Sequence, residues 1–211
     1  MDFMPYWDEF VIIVVVHFLA VASPGPDFAI VVKQSLGRGR KHALLTSAGI
    51  GTGILLHVTY SLIGIGLLIH SSPTLFKGLT YIAAAYLGYL GVMGIMAKPQ
   101  TPGNDNQSIA EKPQTLVRAY LTGFLVNGLN VKATLFFVSL FSLVISSQTP
   151  IVVQSVYGLY MAVATGLWFC FISYLLTTDH LQKRVISKGY IIDRLMGVVL
   201  IFLALNIAFG G

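Results

Sequence analysis

Residues 10–32, FVIIVVVHFLAVASPGPDFAIVV, decide the fold. The run is long enough to cross a bilayer, which takes about 20 mostly apolar residues. Its one formal charge, Asp27, closes the motif Ser23-Pro24-Gly25-Pro26-Asp27. A second run, residues 119–145, AYLTGFLVNGLNVKATLFFVSLFSLVI, carries the counterpart: Lys132 beside Asn127, Gly128 and Asn130. A charge at membrane depth is unfavourable by about 2.5–3.5 kcal/mol on insertion scales, so such residues face a polar interior and mark a binding site or conduction path.

Backbone chemistry interrupts both runs. Pro24 and Pro26 lack amide hydrogens and push the residue before each out of the α conformation, and Gly25 tolerates unusual dihedrals. Carbonyls released by a break need partners, which a cavity, an ion or a substrate supplies. A helix restarting near Asp27 and Phe28 aims its first amides back at the break, a place suited to an anion. In the second run Asn127 and Asn130 share a helix face, whereas Asn130 and Lys132 share a side only if the helix opens between them. The plainer reading is an interhelical amide hydrogen bond with a structural Asp27–Lys132 salt bridge, and a pair that opens for substrate is compatible with it.

Composition generalises these two runs to the whole chain. Of 211 residues 55% are hydrophobic and 10% charged, with mean hydropathy +0.79, against about 25% charged in soluble domains. Six apolar spans are expected, at about 10–32, 44–69, 78–96, 119–145, 151–176 and 190–209, with no soluble domain left over. The sixth is the shortest, since Asp193 and Arg194 fall in its first turn and must reach the interface. The first span reads as a retained helix: Asp2, Asp8 and Glu9 precede it and no base comes before Lys33, unlike a signal peptide. Net charge +5 is a topology signal and not a nucleic-acid footprint. The lone Cys170 reads as packing and excludes an intramolecular disulfide.

Eleven of the thirteen Lys and Arg residues fall in the first, third and fifth connections, with Lys77 in the second and Lys132 within a span. Basic loops face the cytoplasm, so both termini are expected outside, with Tyr6 and Trp7 in the outer aromatic belt. The one long polar stretch, 98–117, divides a first three-helix half (1–97) from a second (118–211) within a single transmembrane domain. Three spans per half make the halves opposite in orientation. Interrupted helices 1 and 4 in matching places are the pointer to an all-α secondary transporter built from inverted repeats. Gly49, Gly51 and Gly53, and Gly88, Gly91 and Gly94, form small-residue faces for close packing; Gly49 and Gly53 also leave room for substrate. His17 and His57 lie inside spans, where a hydrogen-bonded buried histidine is the default and titration the alternative.

The run SPGPDFAIVVKQSLGRGRKHALLTSAGIGTGILLH (23–57) resembles the signature of the LysE/RhtB family of amino-acid exporters. So do AAAYLGYLGVMGI (83–95), GFLVNGLNVKATLFF (123–137) and DRLMGVVLIFLALNIAF (193–209), so that the likeness covers essentially the whole chain. The resemblance implies a six-helix inner-membrane carrier that expels amino acids such as threonine, homoserine, lysine or leucine, working as a homodimer without cofactor or metal. One departure stands out: Val131 replaces the proline usual between Asn130 and Lys132, which predicts a gentler break in the second half and a gate mainly in the first, with altered specificity or weakened transport as the alternatives.

The expected mechanism is proton antiport of a zwitterion. Its ammonium meets Asp27 and carbonyls freed near Pro24, Gly25 and Pro26; its carboxylate meets Lys132, Asn127, Asn130 or the restarted helix. Asp27 carries the coupling proton. A metal or small-cation exporter is the alternative, supported only by Asp27 with the two histidines and opposed by Lys132. A thiol–disulfide carrier lacks a second cysteine, and a membrane-embedded enzyme lacks a Ser/His pair or His cluster at recognisable spacing.

Overall fold

The computed structural model describes residues 4–23, 25–71, 73–98, 114–146, 148–178, 190–191, 194–195, 197–202 and 204–205. Apolar, strand-poor sequence folds here into helices separated where glycine, proline or asparagine ends them. After a 3-10 turn at Met4–Tyr6 come α1 (Trp7–Ala22), α2 (Pro26–Arg38), α3 (Arg40–Ser71), α4 (Pro73–Ile95), α5 (Leu116–Gly128), α6 (Val131–Leu143) and α7 (Ile151–Leu176). There is no strand among the described residues. Among the described residues three helices, Met4–Ala22, Arg40–Gly64 and Ile151–Leu176, are long and apolar enough to cross a membrane, and α5 with α6 make a fourth if taken as one bent span. Of the expected sixth span, residues 197–202 are helical and pack on α4, where a Cβ on Gly91 would lie 2.9 Å from the Gly197 carbonyl. Asp193, the 99–113 part of the polar linker, and Lys183, Arg184 and Lys188 lie outside the described residues. Arg194 donates to the Ala97 carbonyl at 3.1 Å and covers the Tyr190 ring.

Both expected breaks are present. Between α1 and α2, Gly25 is extended (φ −161°, ψ −168°) and Pro26 stands in the first turn of the new helix, where a missing amide hydrogen removes no helical bond. The second break departs from expectation. Without proline, α5 and α6 still meet at 57°, so the interruption is sharp. Asn130 accounts for it: its backbone is extended (φ −76°, ψ 103°), and its Oδ1 caps α6 by accepting from the Lys132 and Ala133 amides at 3.0 and 3.4 Å. An asparagine cap stabilises a helix start, so a side chain at position 130 does what a proline at position 131 would.

Helix α3 is the central element, packed along α5 on one side and α7 on the other. The α3–α5 approach is backbone to backbone. A Cβ on Gly49 would collide with the Tyr120 carbonyl, and one on Gly123 with the Thr46 carbonyl. Thr46 Oγ1 donates to the Ala119 carbonyl at 3.0 Å, and the Thr52 and Tyr120 hydroxyls pair at 2.8 Å across the same seam. Ser47 and Ser173 pair at 2.9 Å on the α7 side. Small-residue faces with hydroxyl bridges are how helices associate in lipid, where no hydrophobic force drives them together.

Two apolar cores lie at opposite ends of the bundle. The larger joins Ile13 and Val16 of α1 to Phe136, Phe137 and Leu140 of α6 and to Tyr157 and Met161 of α7. The smaller joins Val31 of α2 to Ile50, Phe169, Ile172 and Leu176. The break at 23–25 therefore sends one expected span into both cores, and the polar residues of the two motifs sit between them. At the end of the larger core, Glu9 fastens α1 to the α6–α7 loop. Its carboxylate accepts from the Ser146 amide at 2.6 Å, the Thr149 hydroxyl at 3.0 Å and the Tyr157 hydroxyl at 3.3 Å.

Candidate functional site: the cavity between the two helix breaks

The α2 N-terminus brings Asp27 to the C-terminal turn of α5. Asn127 Nδ2 and Asn130 Nδ2 both donate to the same oxygen, Asp27 Oδ2, at 3.0 and 3.1 Å. The other carboxylate oxygen, Oδ1, is buried without a partner, as is Asn127 Oδ1. Buried polar atoms nearly always have partners, so each exception calls for an explanation. Here Asp27 and Asn127 line one cavity of about 50 Å³ whose polar wall also includes Ser23, Gly25, Asn130 and Lys132; Asn127 Oδ1 itself is turned toward Gly53 of α3. Its opposite wall is apolar, with Ile54, Leu90, Phe136, Phe137, Phe169 and Leu200.

Lys132 enters from the first turn of α6. Its ammonium donates to Ser23 Oγ at 3.0 Å and would lie 3.5 Å from a Cβ on Gly25. Its charge acts on Asp27 through space, while the hydrogen bonds to the carboxylate come from the two amides. The cavity thus carries a cation and, from Asp27, a carboxylate with one uncommitted oxygen. At about 10–15 Å³ of cavity volume per water it holds a few waters, which is too little room for an amino acid.

Of the residues singled out in sequence, the structure gathers Asp27, Lys132, Asn127, Asn130, Gly25 and Pro26 around this cavity. Pro24 lies outside the described residues. Gly53 stands one layer back, where a Cβ would come within 2.7 Å of Asn127 Oδ1; its bareness gives that amide its place. Gly49 is further away, in the α3–α5 contact. His57 is fully buried behind Asn127. Its Nε2 lies 2.9 Å from the Asn127 carbonyl, which only accepts, so this nitrogen carries the hydrogen. Nδ1 therefore accepts from the Tyr60 hydroxyl. The ring stacks on Phe137 at 5.7 Å. His17, equally buried, pairs with the Thr165 hydroxyl at 3.0 Å. Both histidines are hydrogen-bonded core residues, as their positions in sequence suggest. Ser23, Thr165, Phe136 and Phe137 complete the walls. Ser23 could have been read as part of its motif, whereas nothing local marks the other three.

Asn130 has two duties, one per amide atom. Asn130→Ala removes the α6 cap and one of the two donors to Asp27, and is expected to lower stability by about 1–2 kcal/mol. Asn130→Ser keeps the cap and loses the donor, so thermal unfolding should place it between alanine and wild type. Equal melting of the serine and alanine variants would show that the cap contributes nothing.

The comparisons with known proteins agree with this architecture. A family model described as LysE type translocator matches residues 18–211. The chain belongs to that family. It is therefore a membrane transporter and not an enzyme. The translocator is 27% identical over 195 residues to the threonine efflux protein of Escherichia coli strain K12, covering 90% of this chain and 92% of that one. It is 28% identical to the leucine efflux protein of Klebsiella pneumoniae over 193 residues, 88% and 87% of the two chains. It is 32% identical to the leucine efflux protein of Salmonella choleraesuis over 161 residues, 74% and 72% of the two chains. No solved structure matches the chain.

Proposed function

We propose that this translocator is a secondary active exporter of amino acids across the bacterial inner membrane, exchanging substrate for protons by alternating access around the cavity between the two helix breaks. The observation that carries the reading is the polarity of the cavity. Asp27, whose buried Oδ1 has no partner, lines the same space as Lys132. A zwitterion fits this distribution: its ammonium donates to Asp27 Oδ1 and its carboxylate accepts from Lys132. Asn127 and Asn130 then act through Asp27, since their amide hydrogens hold its other oxygen. The apolar wall of phenylalanines and leucines receives the substrate side chain. The efflux of threonine and leucine named for the relatives points to the same substrate class.

Coupling uses Asp27 as the proton carrier. Protonation neutralises the site's carboxylate and frees the ammonium; return of the charge admits the next substrate. The breaks at 23–25 and 129–130, which part α1 from α2 and α5 from α6, let the two halves rock about the cavity. The halves form inverted repeats, the termini face outward and the carrier works as a homodimer. These readings rest on the basic-loop distribution and the family resemblance. The cation-exporter alternative is disfavoured by Lys132 in the cavity wall and by the names of the relatives.

Proteoliposomes loaded with labelled threonine, leucine or lysine test the proposal. An imposed pH gradient should accelerate efflux of at least one of them, and a protonophore should abolish the acceleration. Flux indifferent to the gradient would refute the coupling, and no flux of any amino acid would refute the substrate class. Lys132→Gln should raise KM by about 10–150-fold, the worth of one hydrogen bond to a charged group at about 1.5–3 kcal/mol. An amine lacking the carboxylate should be carried equally well by both proteins. An unchanged KM for the amino acid would remove Lys132 from carboxylate recognition.

A further inference from the structure

We propose that the corner between α2 and α3 is a binding site for the phosphodiester headgroup of an anionic phospholipid. The inference uses only the membrane embedding of the chain; it is independent of what is transported and how transport is coupled.

The corner holds an open cavity of about 530 Å³, lined by Ser35, Leu36, Gly39, Arg40, Lys41 and Thr177. Gly39 turns the chain there with φ +79°, a left-handed conformation that side chains disfavour. The turn lets α3 begin at Arg40 directly after α2 ends at Arg38, so the unshared first-turn amides of a 32-residue helix open beside the cavity. A helix start alone makes no site, but Ser35 supplies an independent sign. It is only 5% exposed, its hydroxyl has no partner, and it lines this same cavity. A buried hydroxyl without a partner is unfavourable, and a phosphate oxygen would satisfy it.

Arg40 is already oriented for such a ligand. Its Nε donates to Thr177 Oγ1 at 3.0 Å and its guanidinium lies 4.5 Å over the Tyr174 ring. Arginine has five donor hydrogens, so this anchoring leaves the terminal fork for paired contacts to phosphate. Lys41, exposed on the next position, adds a second charge. No acidic residue occurs in sequence between Asp27 and Asp105, whereas Lys33, Arg38, Arg40 and Lys41 do; beyond Thr178 the sequence adds Lys183, Arg184 and Lys188 against Asp179. A lipid fits better than free phosphate because the cavity is amphipathic. Leu36, 50% exposed, and Leu176 line it alongside the charges, and Arg40 opens an apolar span, which places the corner at a membrane surface. Basic pockets of this kind on the cytoplasmic side of transmembrane helices hold anionic headgroups.

The full chain, purified in an uncharged detergent, should be titrated with phosphatidylglycerol, phosphatidylcholine and inorganic phosphate, with bound lipids counted by native mass spectrometry. Phosphatidylglycerol should bind at least about tenfold more tightly than phosphatidylcholine. Lys41→Gln and Arg40→Gln should each weaken phosphatidylglycerol about tenfold, the ratio that a charge-assisted contact supports, and narrow its preference over phosphatidylcholine. Ser35→Ala should weaken phosphatidylglycerol about tenfold, as loss of one hydrogen bond to a charged oxygen does. Since Arg40→Gln also loses the Thr177 contact, Lys41→Gln and Ser35→Ala serve as the variants that leave the helix packing intact. Equal binding of the two lipids, or unchanged phosphatidylglycerol affinity in both of these variants, would overturn the site. Inorganic phosphate displacing the lipid at equal concentration would overturn its assignment to a lipid.

Discussion

Asp27→Asn abolishes gradient-driven export while leaving the protein folded: this is the largest functional effect expected of any conservative substitution in the chain. An asparagine at position 27 has the volume of the aspartate, and its one oxygen can still accept from the Asn127 and Asn130 amides that now hold Oδ2. The other position, where Oδ1 is buried without a partner, becomes a donor. A substrate ammonium then meets a hydrogen where it needs an acceptor and finds no negative charge. Loss of a charged hydrogen bond alone amounts to about 1.5–3 kcal/mol, or roughly 10–150-fold, and the reversed dipole adds to it. Counterflow of labelled substrate should fall at least about 100-fold, with a melting temperature within a few degrees of wild type. Asp27→Ala should be less stable than Asp27→Asn, because it leaves two buried amides without their acceptor. Full gradient-driven transport by Asp27→Asn would end both the ammonium and the proton assignment.

The largest effect on stability is expected at Gly49. Its Cβ position runs into the Tyr120 carbonyl and lies 2.8 Å from the Phe124 amide nitrogen, both of them backbone. No rotamer change relieves such a contact, so α3 and α5 must part. Parting them also breaks the Thr46–Ala119 and Thr52–Tyr120 bridges. Overpacking typically destabilises by about 1–3 kcal/mol, and the loss of two hydrogen bonds brings Gly49→Ala to about 3 kcal/mol or more. For a chain of this size that corresponds to a drop of about 6–12 °C in melting temperature. Gly123→Ala should behave alike, since its Cβ meets the Thr46 carbonyl of the same seam. The double variant should be less harmful than the sum, because one displacement of the helices accommodates both methyl groups. Melting of Gly49→Ala within a degree of wild type would show that the seam is looser than described.

Asp27 and Lys132 are legible in sequence because a charge within an apolar run has few reasons to exist, and the breaks are legible because proline, glycine and asparagine act on the backbone locally. The same locality explains the one misjudged break. Replacement of a proline by Val131 predicts a gentler bend, yet the determinant is the extended, capping Asn130 one position earlier. Partnerships across the bundle leave no local trace. His17 with Thr165 and Lys132 with Ser23 join residues more than a hundred positions apart. Gly49 and Gly53 look equivalent in a small-residue stripe, but one faces backbone and the other an amide of the cavity. Only the rotation of α3 against α5 separates those roles.

Glu9, an acid near the start of the first span, has a bearing on how one mouth of the carrier works. The Glu9 partners at that end are a backbone amide and two hydroxyls, all uncharged. Water replaces such donors at almost equal enthalpy, so the fastening can release without pulling opposite charges apart. A clasp of this sort stays shut by the packing around it and undoes readily once wetted, which under the proposed alternating access would suit an end that opens and closes with each molecule carried.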